Sequence, residues 1–181
     1  MRYPPRHKES TRARLLEVGG TLAKKDGFAS TGIDALMAAA GLTSGAFYSH
    51  FRSKSELLEA IVESELGRSL ELLTGKTNEQ LVVVLKSYLS ASHVDDPAQG
   101  CAVTSLSTEV ARSSPQTKQV FERMMVAMKD ELSKHVSGHS AAWVMISQMV
   151  GAVMIARAMA SEQSRNDLLE AVMQQCQEMI R

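Results

Sequence analysis

Gly41-Leu42-Thr43-Ser44-Gly45-Ala46-Phe47-Tyr48-Ser49-His50-Phe51-Arg52-Ser53-Lys54 is the stretch whose reading decides the fold. As a very short helix it sets Phe47 and Phe51 four residues apart on one side, where with Leu42 they anchor the segment in a core. Ser44 and Tyr48 project from a different side, which leaves one apolar edge and one hydroxyl-rich, basic edge. Upstream, Ile33, Leu36, Met37 and Ala40 fall at i, i+3, i+4 and i+7, the stripe of a second amphipathic helix. Gly41 supplies the left-handed residue that closes it, and Thr43 or Ser44 supplies the oxygen that caps the next. The spacing predicts helix, tight turn, helix.

A unit of that kind reads duplex DNA by placing the start of its second helix at the base edges of the major groove while flanking groups hold phosphates. Thr43, Ser44 and Gly45 occupy the leading position, and Tyr48, His50 and Lys54 are spaced to reach backbone oxygens. Thr31, Ala46 and Ser49 complete the expected DNA-facing set.

Linked to this stretch are Gly27-Phe28, Thr31-Gly32-Ile33, Ala40-Gly41-Leu42, Gly45-Ala46-Phe47-Tyr48, His50-Phe51 and Ser53-Lys54-Ser55-Glu56-Leu57. On these elements the chain from about Ser10 to Glu63 resembles the DNA-binding domain of TetR-type (TetR/AcrR) transcriptional regulators. The resemblance implies an all-α protein of about nine helices. A three-helix helix-turn-helix domain would occupy residues 1–54, and a helical ligand-binding and dimerisation domain residues 55–181. It further implies a homodimer on a palindromic double-stranded operator, released by a small-molecule effector. The effector's identity does not transfer, because the remainder resembles the family only in length and helical character.

Charge agrees. Net charge is zero over 181 residues, with 20 basic and 20 acidic side chains. Up to Lys54 the chain carries Arg2, Arg6, Lys8, Arg12, Arg14, Lys24, Lys25, Arg52 and Lys54 against Glu9, Glu17, Asp26 and Asp34, an excess of 9 − 4 = +5 that leaves −5 for the rest. A basic amino-terminal module on an acidic body is the electrostatic footprint of DNA binding confined to one end.

Cys101 and Cys176 are too few and too far apart for a disulfide framework or a cysteine-rich zinc site, so a reduced cytoplasm is expected. The amino terminus lacks the apolar core of a signal peptide. The most apolar run, Ala141 to Ala156, falls short of the roughly 20 residues of a membrane span, and no membrane partner is expected.

Helix starts recur along the chain. Leu15, Val18 and Leu22 mark a first helix from about Ser10 to Asp26. Thr31 with Asp34, Ser53 with Glu56, Thr77 with Gln80 and Ser164 with Asp167 have capping-box spacing. Ser114-Pro115 opens a helix expected to reach about Val136. Val82-Val83-Val84 favours a strand locally, but its capped helical context overrides that. From about Ser140 to Ser161 a helix is apolar nearly all round and needs burial on more than one side. Paired with the last helix and a twofold copy it makes a four-helix interface, for which Val150, Val153, Arg157, Leu169, Val172 and Cys176 are the candidates. The alternative is the central helix of a monomeric bundle.

Several methionines in the carboxy-terminal body suit a plastic apolar cavity as well as ordinary core filling. Parts of the helices Leu81 to Ser92, Cys101 to Arg112, Met124 to Lys134 and Trp143 to Met154 are its expected walls, with Cys101, Leu106, Met124, Met128, Trp143 and Met154 as lining. Cys101 near a helix start is either a redox or electrophile sensor or a packing residue.

No phosphate loop, HExxH, nucleophile elbow or paired-carboxylate pattern occurs. Cys101 with His93 or His139 and Asp95 or Glu109 has no motif context, so no enzyme is expected and no catalytic residue is assigned. His135 and His139 are four apart, yet Gly138 lies between them and no third ligand is spaced to help, so no metal or cofactor is expected. The sequence thus reads as a homodimeric DNA-binding repressor released by a small molecule. A repressor sensing redox state through Cys101 is one alternative, an activator or architectural DNA binder another, and a helical enzyme or scaffold the alternative of a different class.

Overall fold

The first helix, α1, runs Pro5–Asp26, several residues earlier than its apolar pattern announces. The computed structural model describes residues 5–180; Arg2 and the Arg6 side chain, both counted in the amino-terminal charge, lie outside the described residues. The fold is all-α: nine α-helices and one 3₁₀ helix among the described residues.

Gly27, at φ +84°, ends α1, and α2 follows at Ile33–Ala39. Thr31 does not cap α2. Its hydroxyl donates to the Gly27 carbonyl at 2.9 Å, and Gly32 takes the cap position without a side-chain bond. Gly41, at φ +69°, turns the chain as expected. The segment beyond is a 3₁₀ helix, Ser44–Ser49, whose cap position falls on Thr43, again with no side-chain bond. Phe47 and Phe51 are nevertheless buried together, ring centroids 5.9 Å apart, and hold the segment down.

The next helix, α3, covers Lys54–Leu73, capped by Ser53, whose hydroxyl accepts the Glu56 N–H at 3.1 Å. Glu56 reaches back to the N–H of Arg52 at 2.8 Å, one residue before the expected partner. The body continues with α4 (Asn78–Tyr88), α5 (Ala91–Asp95), α6 (Ala102–Ala111), α7 (Pro115–Leu132), α8 (His139–Ala158) and α9 (Glu162–Met179). The Thr77–Gln80 capping box and the Ser114-Pro115 start form as the spacing predicts, and Val82 to Val84 lie inside α4. For α9 the cap is Ser161, not Ser164; Ser161 has extended backbone, so its hydroxyl accepts the Ser164 N–H at 3.2 Å.

Helix α8 is 20 residues long, so its length and composition do meet those of a membrane span, contrary to the count from Ala141 to Ala156. Its inward side nonetheless packs on protein: Ala142, Met145, Ala152, Val153 and Ala156 are buried with Leu169 and Cys176 of α9 and Leu81 and Leu85 of α4. A second apolar cluster runs from the amino-terminal helices into the body without a break. It joins Leu15, Leu36, Phe47 and Phe51 to Leu57, Leu58, Ile61 and Leu66 of α3, then to Leu106 and Val110 of α6 and Met125 and Met128 of α7. Each such side chain contributes about 1.5–3 kcal/mol when fully buried. The helix that starts at residue 54 is therefore shared by both halves rather than a linker between them.

Candidate nucleic-acid interface and effector cavity

The turn and 3₁₀ helix present Thr43, Ser44, Gly45, Tyr48 and Ser49 to solvent on one surface, with Tyr48 68% exposed despite its size. An aromatic held out in this way is free to reach a phosphate oxygen through its hydroxyl. Its ring meets Phe47 edge-on, 5.2 Å between centroids, which fixes its direction. Ala46 and His50 are half-buried beneath, and Ser49 spends its hydroxyl on the Ala46 carbonyl at 2.6 Å. Lys54 is also partly engaged. Its ammonium donates to the Ala29 carbonyl at 3.0 Å and lies 4.9 Å from the centre of the Phe28 ring, which leaves two of its three donors for a phosphate. Arg12 stacks over Phe51 at 4.7 Å, and Arg14 lies beside Gly41, so two cations unassigned from sequence flank this surface. Their signal was α1's basic start next to an aromatic 3₁₀ helix.

Below this head the body encloses a cavity of about 940 Å³ between α3, α4, α6, α7 and α8. Cys101 and Met128 line it. Leu106 does not, because it faces the core cluster at 1% exposure. Met124 packs partly buried against the core cluster, and Trp143 and Met154 turn outward, each 40% exposed. Along the all-apolar α8 the pattern does not say which residues face the cavity, hence the misassignment of Trp143 and Met154.

Cys101 sits at the start of α6, and its environment is tightly specified. His93 Nε2 accepts the Cys101 N–H at 2.9 Å, so His93 Nδ1 carries the proton and donates to the Tyr88 carbonyl at 2.5 Å. Burial lowers His93 below the ordinary histidine range, and the nearby Arg157 and Lys24 act in the same direction. The Tyr88 hydroxyl is buried next to the thiol; burial, and then the charge and hydrogen bonding of Cys101, raise it well above the ordinary tyrosine range. Ser69 Oγ lies 4.0 Å from the sulfur. Arg157 is drawn into the same knot, donating to the carbonyls of His93 (3.1 Å) and Val94 (3.3 Å) and to Thr104 Oγ1 at 2.7 Å. These bonds all lie within the single chain.

The acids once grouped with Cys101 are employed elsewhere. Asp95 pairs with Arg165, and Glu109 lies at the far end of α6, where it accepts the N–H groups of Phe28 and Ala29. His135 contacts Asn78 Oδ1 at 2.6 Å while His139 faces Asp130, so the two histidines do not converge. Among the described residues no group of three potential ligands could hold a metal.

A buried brace joins head and cavity. Lys24 of α1 pairs with Glu65 of α3 at 2.8 Å, both side chains 6% exposed, and Arg68 reaches the other carboxylate oxygen at 2.6 Å. Gly20 makes room for it, since a Cβ there would collide with the Glu65 carboxylate. Sequence reasoning missed this pair, and Gly19-Gly20 in a helix interior was its only trace.

Of the expected dimer residues, Val153, Leu169 and Cys176 are buried inside the single chain, Val150 lines the cavity, and Val172 packs partly buried on the α8–α9 core. Burial pushes the Cys176 thiol up to about 11. The outward side of α8 is instead Trp143, Val144, Met154 and Ile155, with Ser147 exposed among them and Gly151 half-buried.

A sequence model of the family described as bacterial regulatory proteins, tetR family, matches residues 15–61. Among curated proteins, the uncharacterized HTH-type transcriptional regulator YerO of Bacillus subtilis is 31% identical over 119 residues, 61% of this chain and 40% of that one. The HTH-type transcriptional repressor NemR of Escherichia coli K12 is 28% identical over 120 residues, 62% of this chain and 60% of that one. The matched stretch thus spans 40% to 60% of the length of these relatives. Among solved structures, Escherichia coli NemR in its reduced form superposes with a TM-score of 0.80 at 23% identity, covering 95% of this chain and 98% of the other. A TetR transcriptional regulator from Chloroflexus aurantiacus gives 0.76 at 23%, covering 96% and 95%.

Proposed function

We propose that the chain is a TetR-type helix-turn-helix transcriptional repressor whose amino-terminal head, residues 1–54, binds an operator and whose body, residues 55–181, binds a small effector. The observation that carries this reading is the pairing of a solvent-facing Thr43–Ser49 surface with a cavity of about 940 Å³, braced to one another through Lys24, Glu65 and Arg68. Two heads on successive major grooves must sit about 34–36 Å apart. The outward apolar side of α8 supports a twofold partner that sets this distance. An effector that prefers a conformation with the wrong spacing then lowers operator affinity by linkage. The working compartment is the cytoplasm, and no chemical step is assigned to the chain.

Selection of bound duplexes from a random pool tests the reading directly. The parent should enrich a palindrome with salt-sensitive affinity. Tyr48→Phe should weaken binding across sequences, and Ser44→Ala should change the bases preferred. Absence of any enriched duplex would sink the proposal.

A second reading, release through oxidation or alkylation of Cys101, is favoured by one observation: the buried Tyr88 hydroxyl stands beside the sulfur, with Ser69 nearby. Both are donors for an anionic sulfur or a sulfenate oxygen. Cys101→Ser should keep operator binding and lose release by peroxide or thiol-reactive compounds; unchanged release would leave Cys101 a packing role.

A further inference from the structure

We infer that the cavity takes an apolar molecule ending in a single carboxylate, which Arg68 reads. This rests on the reading of the cavity as the effector site and adds the chemistry of the effector.

Most of the wall is apolar, with Leu73, Val84, Met128, Leu132, Met149 and Val150 supplying surface from α3, α4, α7 and α8. Buried charge is confined to one end. There Glu65 is fully committed, one carboxylate oxygen to Lys24 at 2.8 Å and the other to Arg68 at 2.6 Å. Two cations against one anion leave this triad with one positive charge in excess. Lys24 is closed off, whereas the Arg68 side chain is 52% exposed where it lines the cavity, so most of the five donors of its guanidinium are open to a ligand. Behind the same end lies Arg157, whose bonded acceptors, the carbonyls of His93 and Val94 and the hydroxyls of Thr104 and Ser105, are all neutral.

The other acids of the lining do not cancel this charge. Glu71 and Asp96 are exposed and neither forms an ion pair with Arg68, and Asp96 already accepts the Gln99 N–H. His93, kept from charging by burial and by the Cys101 N–H at its Nε2, adds none.

A cationic apolar compound would meet Arg68 with no uncommitted carboxylate beside it at that end. An uncharged one would leave the excess charge unanswered. A carboxylate has two coplanar oxygens that match the guanidinium fork and bring the triad to neutrality. It also competes with Glu65 for Arg68, which is the brace between cavity and α1, so occupancy of this end is felt at the head.

Calorimetric titration of the full chain with decanoate, decanol and decylamine tests the assignment. Decanoate should bind about tenfold or more tightly than decanol, the margin of a charge-assisted pair. Arg68→Gln should abolish that preference while leaving decanol affinity unchanged, and Arg68→Lys should restore part of it. Decanoate should also lower operator affinity in the parent but not in Arg68→Gln. Equal binding of decanoate and decanol by the parent, or an unaltered preference in Arg68→Gln, overturns the carboxylate assignment and leaves the effector cavity standing. Binding of none of the three overturns both, with duplex selection still reporting separately on the head.

Discussion

The carboxylate of Glu109 holds the N–H of Phe28 at 2.6 Å and that of Ala29 at 2.9 Å, fastening the end of α6 to the turn between α1 and α2. Cys101 begins that same ten-residue helix at the cavity. A rigid helix that touches the cavity with one end and the head with the other carries a displacement between them without local unfolding. Glu109→Ala removes both acceptors, which should cost about 1–3 kcal/mol of stability in urea titration. Amide exchange at Phe28 and Ala29 should quicken in that variant; unchanged exchange there would refute the fastening.

The Lys24–Glu65 pair should be sensitive to removal of one partner. Glu65→Ala leaves the buried Lys24 ammonium uncompensated and should destabilise by about 3–5 kcal/mol. Replacing both partners by methionine should recover most of the loss, since neither buried charge then remains. Equal losses in the single and double variants, measured by urea denaturation, would show that the pair is not coupled.

His93 sets a pH dependence whose direction is fixed. Its folded value lies below the ordinary 6.5 because burial disfavours the charged ring, and a proton on Nε2 would oppose the Cys101 N–H. Between the folded value and 6.5 the unfolded chain binds more protons than the folded one, so stability falls as pH falls. Above 6.5 the contribution is fully present; it declines on acidification through this window and levels off below the folded value. In thermal melts His93→Gln should flatten the decline in that range, and a parent-like slope would assign the effect to another group.

Charged substitution should separate packing from assembly on α8. Val153 has no exposed surface in the single chain, so Val153→Glu should unfold the body, because burying an unpaired charge costs several kcal/mol. Ile155 is 52% exposed, so Ile155→Glu should leave a folded chain that sediments as a monomer and loses operator affinity. A dimeric Ile155→Glu protein would move the twofold contact off this side of the helix.

Much of this was legible in the sequence because it is local. The Thr77–Gln80 capping box, the Ser114-Pro115 start and the Gly41 turn each depend on residues within a few positions, and each forms. The Phe47–Phe51 anchor and exposed Ser44 and Tyr48 were legible for the same reason. Where neighbouring residues compete for the cap position, as Thr31 against Gly32 or Ser164 against Ser161, the backbone conformation chooses, and residue type alone does not report it. The Lys24–Glu65 brace and the Glu109 fastening join distant segments, and no periodicity announces such partners. On α8 the pattern showed burial all round but not which apolar residues meet α9, the cavity or solvent.

The apolar cluster that passes unbroken from Leu15 and Phe47 through Ile61 to Leu106 and Met125 bears on protein engineering. A head cut at residue 54 and grafted onto a foreign body would present an unmatched seam, since Leu57, Leu58, Ile61 and Val62 belong to the body's sequence yet complete the head's interior. Chimeras that exchange operator preference should therefore carry the junction to the far end of α3 and bring Lys24 with Glu65, and Phe28 with Glu109, as matched sets. Exchanging only the exposed residues of Thr43–Ser49 leaves that seam intact and is the more conservative route to a new operator.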